Sequence, residues 1–237
     1  MMKKDDIFIN ARDLARGIPL KDLHIHTKYS DGRSTIKEYV ESAAALGYGE
    51  ICFTDHVDFT TTWFDTYIKE ITDENAAAAG PDIYYGIEVR AKDREGALNA
   101  PEEIIKYAEI VIGVIHSIPA TDGKGKSKPE EFSREELLEL EYSISLKLLE
   151  NQDVSVLGHP MSNYEKLYGT VPEPYYKDLI LKAKKTGKAI EINAKYKNDF
   201  KGFLDLCMEL NPRVSLGSDA HSILELGMIG TKLREEL

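Results

Sequence analysis

LKDLHIH, residues 20–26, reads as a β-strand that ends on two histidines, and the stretch after it reads as a helix. Across 35–46 the apolar residues Ile36, Tyr39, Val40, Ala43 and Ala44 recur at helical spacing and line one face. Thr35 and Glu38 carry a capping-box pattern at its start, and Gly47 supplies a stop. The same unit recurs along the chain. Strands are expected at 50–55, 82–89, 109–116, 154–159, 188–194 and 213–218, and helices at 66–79, 101–108, 134–149, 173–186 and 198–210. Ser133 with Glu136 repeats the capping box, and Pro101 suits a first helical turn. Seven strands alternating with helices predict an α/β fold, a parallel sheet covered by helices. Residues 1–18 read as an N-terminal extension, and 19–237 as a single barrel-type domain.

Composition narrows the function classes. The 237 residues hold 30 Lys+Arg against 41 Asp+Glu, a formal net charge of −11, which gives no support to long nucleic acid as a partner. A hydrophobic content of 42 % supports a core and excludes a disordered chain. No apolar run reaches the roughly 18–20 residues that span a bilayer, and MMKKDDIFIN lacks the apolar core of a signal peptide. Two cysteines, Cys52 and Cys207, make no disulfide framework and suit buried thiols in a cytoplasmic protein.

The six histidines decide the function. His24 and His26 close the first strand, His56 the second, His116 the fourth and His159 the fifth, while His221 follows the seventh. Glu88 ends the third strand, and Asp219 follows the seventh. In parallel α/β folds the strand C-termini form one face, where active sites are built. His24 and His26, two apart, point the same way from an extended strand, and Asp219 and His221 share that spacing. A lone histidine at a strand end is usually a hydrogen-bonded structural residue. Six at strand ends, with carboxylates among them, point to a metal site of nitrogen and oxygen donors suited to zinc, iron or manganese.

Taken together, DLHIHTKYSDG (22–32), FTDH (53–56), GIEV (86–89), VIHS (114–117), GHP (158–160) and GSDAH (217–221) resemble the motifs of the PHP (polymerase and histidinol phosphatase) family. The resemblance implies a distorted (β/α)7 TIM-like barrel, three divalent transition-metal ions and hydrolysis of phosphoesters. It places His24, His26, Glu88 and Asp219 on a first ion. Glu88 bridges to a second, completed by His116 and His159, and Asp31, His56 and His221 hold a third. Some family members carry histidine where Asp31 stands; the carboxylate keeps an oxygen ligand there.

Two cations about 3.5–4 Å apart can share a hydroxide and stabilise an in-line displacement at phosphorus, so no serine or cysteine nucleophile is needed. Catalytic work is expected of Glu88, His221, Asp219 and Asp55, the last two as candidate general acids. Lys28 lies two residues beyond His26, Arg90 two beyond Glu88, and Lys195 shares a face with Asn193 and Glu191. Continued alternation would aim Lys28 and Arg90 toward the ligands, and all three are candidate donors to a small phosphorylated substrate. Trp63 with Phe64 reads as loop packing or as a hydrophobic wall for substrate. The polar segment 117–132 can overhang the site. Its Gly125-Lys126-Ser127 mimics the end of a P-loop, but Ala120 occupies the position of the required glycine. The expected activity is that of a phosphomonoesterase acting on a histidinol-phosphate-like compound or a nucleotide. An amidohydrolase-type hydrolase, a nuclease or nucleotide phosphodiesterase, and a non-catalytic metal-holding module are the alternatives.

Overall fold

The structure, a computed structural model, describes residues 7–77, 80–120 and 125–237. Its centre is seven strands: β1 (Lys21–Ile25), β2 (Glu50–Phe53), β3 (Asp82–Arg90), β4 (Ile110–Val114), β5 (Val156–Leu157), β6 (Ala189–Asn193) and β7 (Arg213–Gly217). Each pairs in parallel with the next in sequence. The sheet curls until its ends touch. Ile25 bridges Ala220, with His26 N donating to Ala220 O at 2.8 Å and Ala220 N to His24 O at 3.2 Å. The expected α/β class and distorted barrel are therefore present. The distortion has two visible sources: β5 is only two residues long, and the β1–β2 register shifts between Asp22 and Ile25.

Strands buried on both faces are apolar throughout in parallel sheets. In β4, Ile110, Ile112 and Val114 fall in an inner cluster with Leu23, Cys52, Val156 and Ala189. Val111, on the opposite face, joins a larger cluster with the helix residues Ile144, Leu148, Leu179 and Leu204. The covering helices are α1 (Ile36–Ala45), α2 (Phe64–Ala77), α3 (Glu102–Tyr107), α4 (Arg134–Glu150), α5 (Ser162–Tyr168), α6 (Glu173–Thr186), α7 (Phe200–Leu210) and α8 (Met228–Glu236). Both capping boxes form. Glu38 N donates to Thr35 Oγ1 at 3.2 Å and Thr35 N to Glu38 Oε2 at 2.7 Å, and Ser133 with Glu136 repeats the pair. Cys52 and Cys207 are buried and unpaired.

Several details differ from the sequence expectation. Ile9–Asn10, within the presumed extension, pairs antiparallel with Val214 and Arg213, and a 3-10 turn over Ala11–Arg16 buries Ala11 and Leu14. A two-residue strand carries no periodicity to read. Helices α5 and α8 had no expectation. α5 is only seven residues long, and α8 carries a glycine, Gly230, among its buried positions. In the polar loop, Ile118–Pro119 pairs antiparallel with Lys126–Ser127, so Gly125-Lys126-Ser127 opens a strand and not a helix. Parts of three expectations lie outside the described residues: positions 1–6 of the extension, 78–79 of the second helix and 121–124 of that loop. Among the described residues, no helix is long and apolar enough to cross a membrane.

Candidate metal centre

Parallel pairing brings the strand C-termini to one rim, and the nine candidate ligands converge there. Glu88 is their hub. Its Oε1 lies 2.9 Å from His159 Nε2, 3.3 Å from His116 Nε2 and 3.5 Å from His24 Nε2. Its Oε2 lies 2.7 Å from His56 Nδ1 and 3.6 Å from His26 Nε2. One carboxylate thus faces five imidazoles, divided between its two oxygens. Asp219 Oδ1 is 3.2 Å from His26 Nε2, 3.8 Å from His24 Nε2 and 3.5 Å from His221 Nδ1. Asp31 Oδ2 is 3.4 Å from His56 Nε2 and 3.3 Å from His221 Nε2.

Three groups of potential ligand atoms fall within 4.8 Å of one another: His24, His26 and Asp219; His56, Glu88 and His116; and His26, Asp31, His56 and His221. Grouping by distance shares His26 and His56 between neighbouring sets. The arrangement passes two tests of fit for divalent transition ions. Imidazole nitrogen and carboxylate oxygen are the donors such ions take. In addition, buried His26 Nδ1 and Glu88 Oε2 have no aligned hydrogen bond, a cost that buried polar groups rarely bear uncompensated.

Local structure sets the poses. Alternation in β1 does turn His24 and His26 the same way, with Nε2 atoms 3.0 Å apart. Asp219 (φ 52°) and His159 (φ 22°) occupy the left-handed region that non-glycine residues avoid, so two ligands are held in strained backbone. Asp31 comes in on the turn after β1, closed by Gly32 N donating to Thr27 O at 2.9 Å. Only glycine fits there, since a Cβ at Gly32 would stand 2.1 Å from His26 O. Acceptors behind the rings fix the tautomers. Glu191 Oε1 accepts from His24 Nδ1–H at 2.6 Å, and Asp219 O from His221 Nδ1–H at 2.9 Å. Ser162 Oγ lies 3.1 Å from His159 Nδ1. Each ring thereby turns Nε2 to the centre.

The electrostatics follow the packing. Burial disfavours the Glu88 carboxylate, yet His116 and His24 hold its pKa well below the usual range. Hydrogen bonding from His221 and His56 lowers Asp31. Burial opposes charge on His56, but Asp31 and Glu88 outweigh it and raise its pKa to about 10. Burial dominates at His26 and lowers it.

The PHP domain model matches residues 22–195, well over half of the chain. The chain belongs to the PHP domain family. A probable phosphatase of Thermoanaerobacter sp. (strain X514) is 28 % identical over 231 residues, covering 90 % of this chain and 83 % of its own. A probable phosphatase of Caldanaerobacter subterraneus subsp. tengcongensis is 29 % identical over 227 residues, covering 90 % and 80 %. The crystal structure of histidinol phosphate phosphatase from Lactococcus lactis subsp. lactis Il1403, complexed with zinc, L-histidinol and phosphate, superposes with a TM-score of 0.72. It shares 20 % identity and covers 93 % of this chain and 94 % of its own, which shows the fold.

This PHP domain brings all nine expected ligands together but treats the other expected residues unequally. Arg90 reaches the rim. It lines a cleft of about 290 Å³ with His56, Glu88, His116, Tyr29 and Trp63. Trp63 packs against Tyr29, ring centres 5.3 Å apart, and forms part of that wall, while Phe64 is buried. Lys28 instead turns toward the start of α1, 3.9 Å from Glu38 Oε2. Lys195 Nζ is held by Asp219 O and, at 2.9 Å, by Glu225 Oε2. Asp55 spends both oxygens on the β1 turn, accepting from Thr27 N at 2.8 Å, Thr27 Oγ1 at 2.9 Å, Ser30 N at 3.1 Å and Ser30 Oγ at 2.6 Å.

Two residues escaped the sequence reading. Glu191 stands behind His24 and His159. Tyr196 sets its ring 4.9 Å from His159, and burial together with a hydrogen bond to Asp219 raises its phenol pKa. A signal for Glu191 existed: a carboxylate inside AIEIN, a strand buried at every position, is out of place without a polar task.

Proposed function

We propose that the protein is a metal-dependent phosphoesterase that hydrolyses a small phosphomonoester. The observation that carries this reading is the Glu88 carboxylate surrounded by five imidazoles beside a small open cleft. His24, His26, Glu88 and Asp219 would hold one divalent ion, Glu88, His116 and His159 a second, and Asp31, His56 and His221 a third. Bound ions of the zinc, iron or manganese class would supply Lewis acidity and a nucleophile from water at neutral pH. Arg90 offers a planar donor pair for phosphate oxygens from the cleft wall. Trp63 and Tyr29 give the leaving group an aromatic surface, which suits a compact ring-bearing alcohol such as histidinol or a nucleoside. Despite its burial, Asp219 is held in its carboxylate form by His24 and His26, so it suits an ion ligand, and the proton for the leaving oxygen would come from water. Asp55 shapes the turn that carries Asp31. The two buried, unpaired cysteines suit a cytoplasmic protein.

The test is a panel of phosphomonoesters with cyclic and linear nucleotides, assayed with manganese, iron and zinc. The expected result is monoester hydrolysis that a chelator abolishes and added metal restores. Absence of turnover across the panel with metal loaded would reject the reading. Turnover of amides or lactones alone would transfer the site to amidohydrolase chemistry.

A further inference from the structure

Glu191 is wholly buried in the middle of β6 and is not among the ligands. Its two oxygens serve two different ligand segments. Oε1 accepts from His24 Nδ1–H at 2.6 Å, and Oε2 accepts from the His159 backbone N–H at 2.6 Å. Asn193 Nδ2 adds a third donor, 3.2 Å from Oε1. The space is reserved for this carboxylate, since a Cβ at Gly217 would lie 2.1 Å from Oε1. We propose that Glu191 is the positioning residue of the metal centre, fixing the His24 tautomer and the His159 turn at once. The inference rests on the metal reading above.

The chemistry explains why a carboxylate is required. An amide of the same shape has one acceptor and one donor. If its oxygen takes the His159 N–H, its NH₂ faces His24 Nδ1. That nitrogen must then be the acceptor, and the proton moves to Nε2, where an ion would bind. If its oxygen takes His24 Nδ1–H, its NH₂ confronts the His159 N–H, and a turn already at φ 22° loses its anchor. Either way one of the two ligands leaves its pose. Groups behind a ligating histidine commonly set metal affinity by 10–100-fold.

The test is a zinc titration against a chromophoric chelator, with melting of the metal-free proteins alongside. Glu191→Gln should bind zinc about 10–100-fold more weakly than wild type. Glu141→Gln is the control. Glu141 is equally buried, on α4, and accepts from Asn163 Nδ2 at 2.8 Å and Tyr164 N at 2.7 Å, touching no ligand side chain. It should lower the melting temperature and leave zinc affinity unchanged. Equal zinc affinity of Glu191→Gln and wild type overturns the proposal, as does an equal loss in Glu141→Gln. A second measurement needs no variant. Long-range ¹H–¹⁵N spectra of zinc-loaded wild type should show the His24 proton on Nδ1, and a proton on Nε2 overturns the proposal. If wild type itself does not compete for zinc, the metal reading is what fails.

Discussion

The inner and outer halves of the ligand cluster are built on opposite terms. The side chains of His24 and His26 are fully buried, and those of Glu88, His159 and Asp219 are at most 4 % exposed. Asp31 is 54 % exposed, His116 39 %, His56 36 % and His221 26 %. Burying charge and imidazole is costly unless every group is compensated. In the inner half Glu191 and Ser162 answer this for His24 and His159, while His26 Nδ1 and Glu88 Oε2 have no aligned hydrogen bond. The outer half is open to solvent: Asp31 faces His56 and His221 from a turn, and Glu88 reaches out to His56 and His116. On the proposed metal reading, the inner candidates would hold their ion more firmly than the outer ones.

The sharpest way to break this contrast is at the hub. Glu88→Gln presents two hydrogens to imidazoles on one side of the carboxylate. It should cost several kcal/mol of transition-state stabilisation, on the order of 10³-fold in kcat/KM, and should strip metal from both halves in elemental analysis. Asp31→Ala should act on the outer half alone, with a smaller loss of activity and the inner metal retained. Retention of full metal content in that variant would remove Asp31 from the ligands.

The rim also sets a pH dependence in the metal-free protein. His56 has a folded pKa of about 10, above the roughly 6.5 of an unfolded imidazole. The folded state therefore binds the extra proton. Its contribution to stability is complete below about pH 6.5 and is lost as pH rises toward about 10. An ion must displace that proton, so loading of the outer half should release protons and tighten with rising pH. Thermal melting of the metal-free protein between about pH 6.5 and 9 should fall in wild type and fall less steeply in Asp31→Ala, where Glu88 still faces His56. The smallest effect is expected at the cleft wall. Arg90→Ala should raise KM for a phosphomonoester roughly 10-fold with little change in kcat, the cost of one charge-assisted hydrogen bond.

The convergence of the candidate ligands is legible because a strand end is a geometric signal. Alternation in β1 turned His24 and His26 together, and parallel pairing delivered Glu88 and Asp219 to the same rim. Lys28 and Lys195 lie beyond the last paired residues of β1 and β6, where alternation no longer aims a side chain. Lys28 turns away to Glu38, whereas Lys195 Nζ reaches Asp219 O and lies 3.4 Å from His221 Nδ1. Arg90 faces the cleft because β3 continues through it. Asp31 came from family resemblance, since its position depends on the turn that Gly32 permits. Glu191 was passed over because its partners, His24 and the His159 backbone, are 167 and 32 positions away. The N-terminal strand and α5 were too short to carry a period.

The most direct measurement of the central claim is anomalous diffraction, at a transition-metal absorption edge, from crystals of metal-loaded protein. The proposed metal centre requires peaks within coordination distance of both Glu88 oxygens, with higher occupancy on the buried His24 side than on the Asp31 side. Peaks confined to surface carboxylates, with none between Glu88 and the five imidazoles, would contradict it.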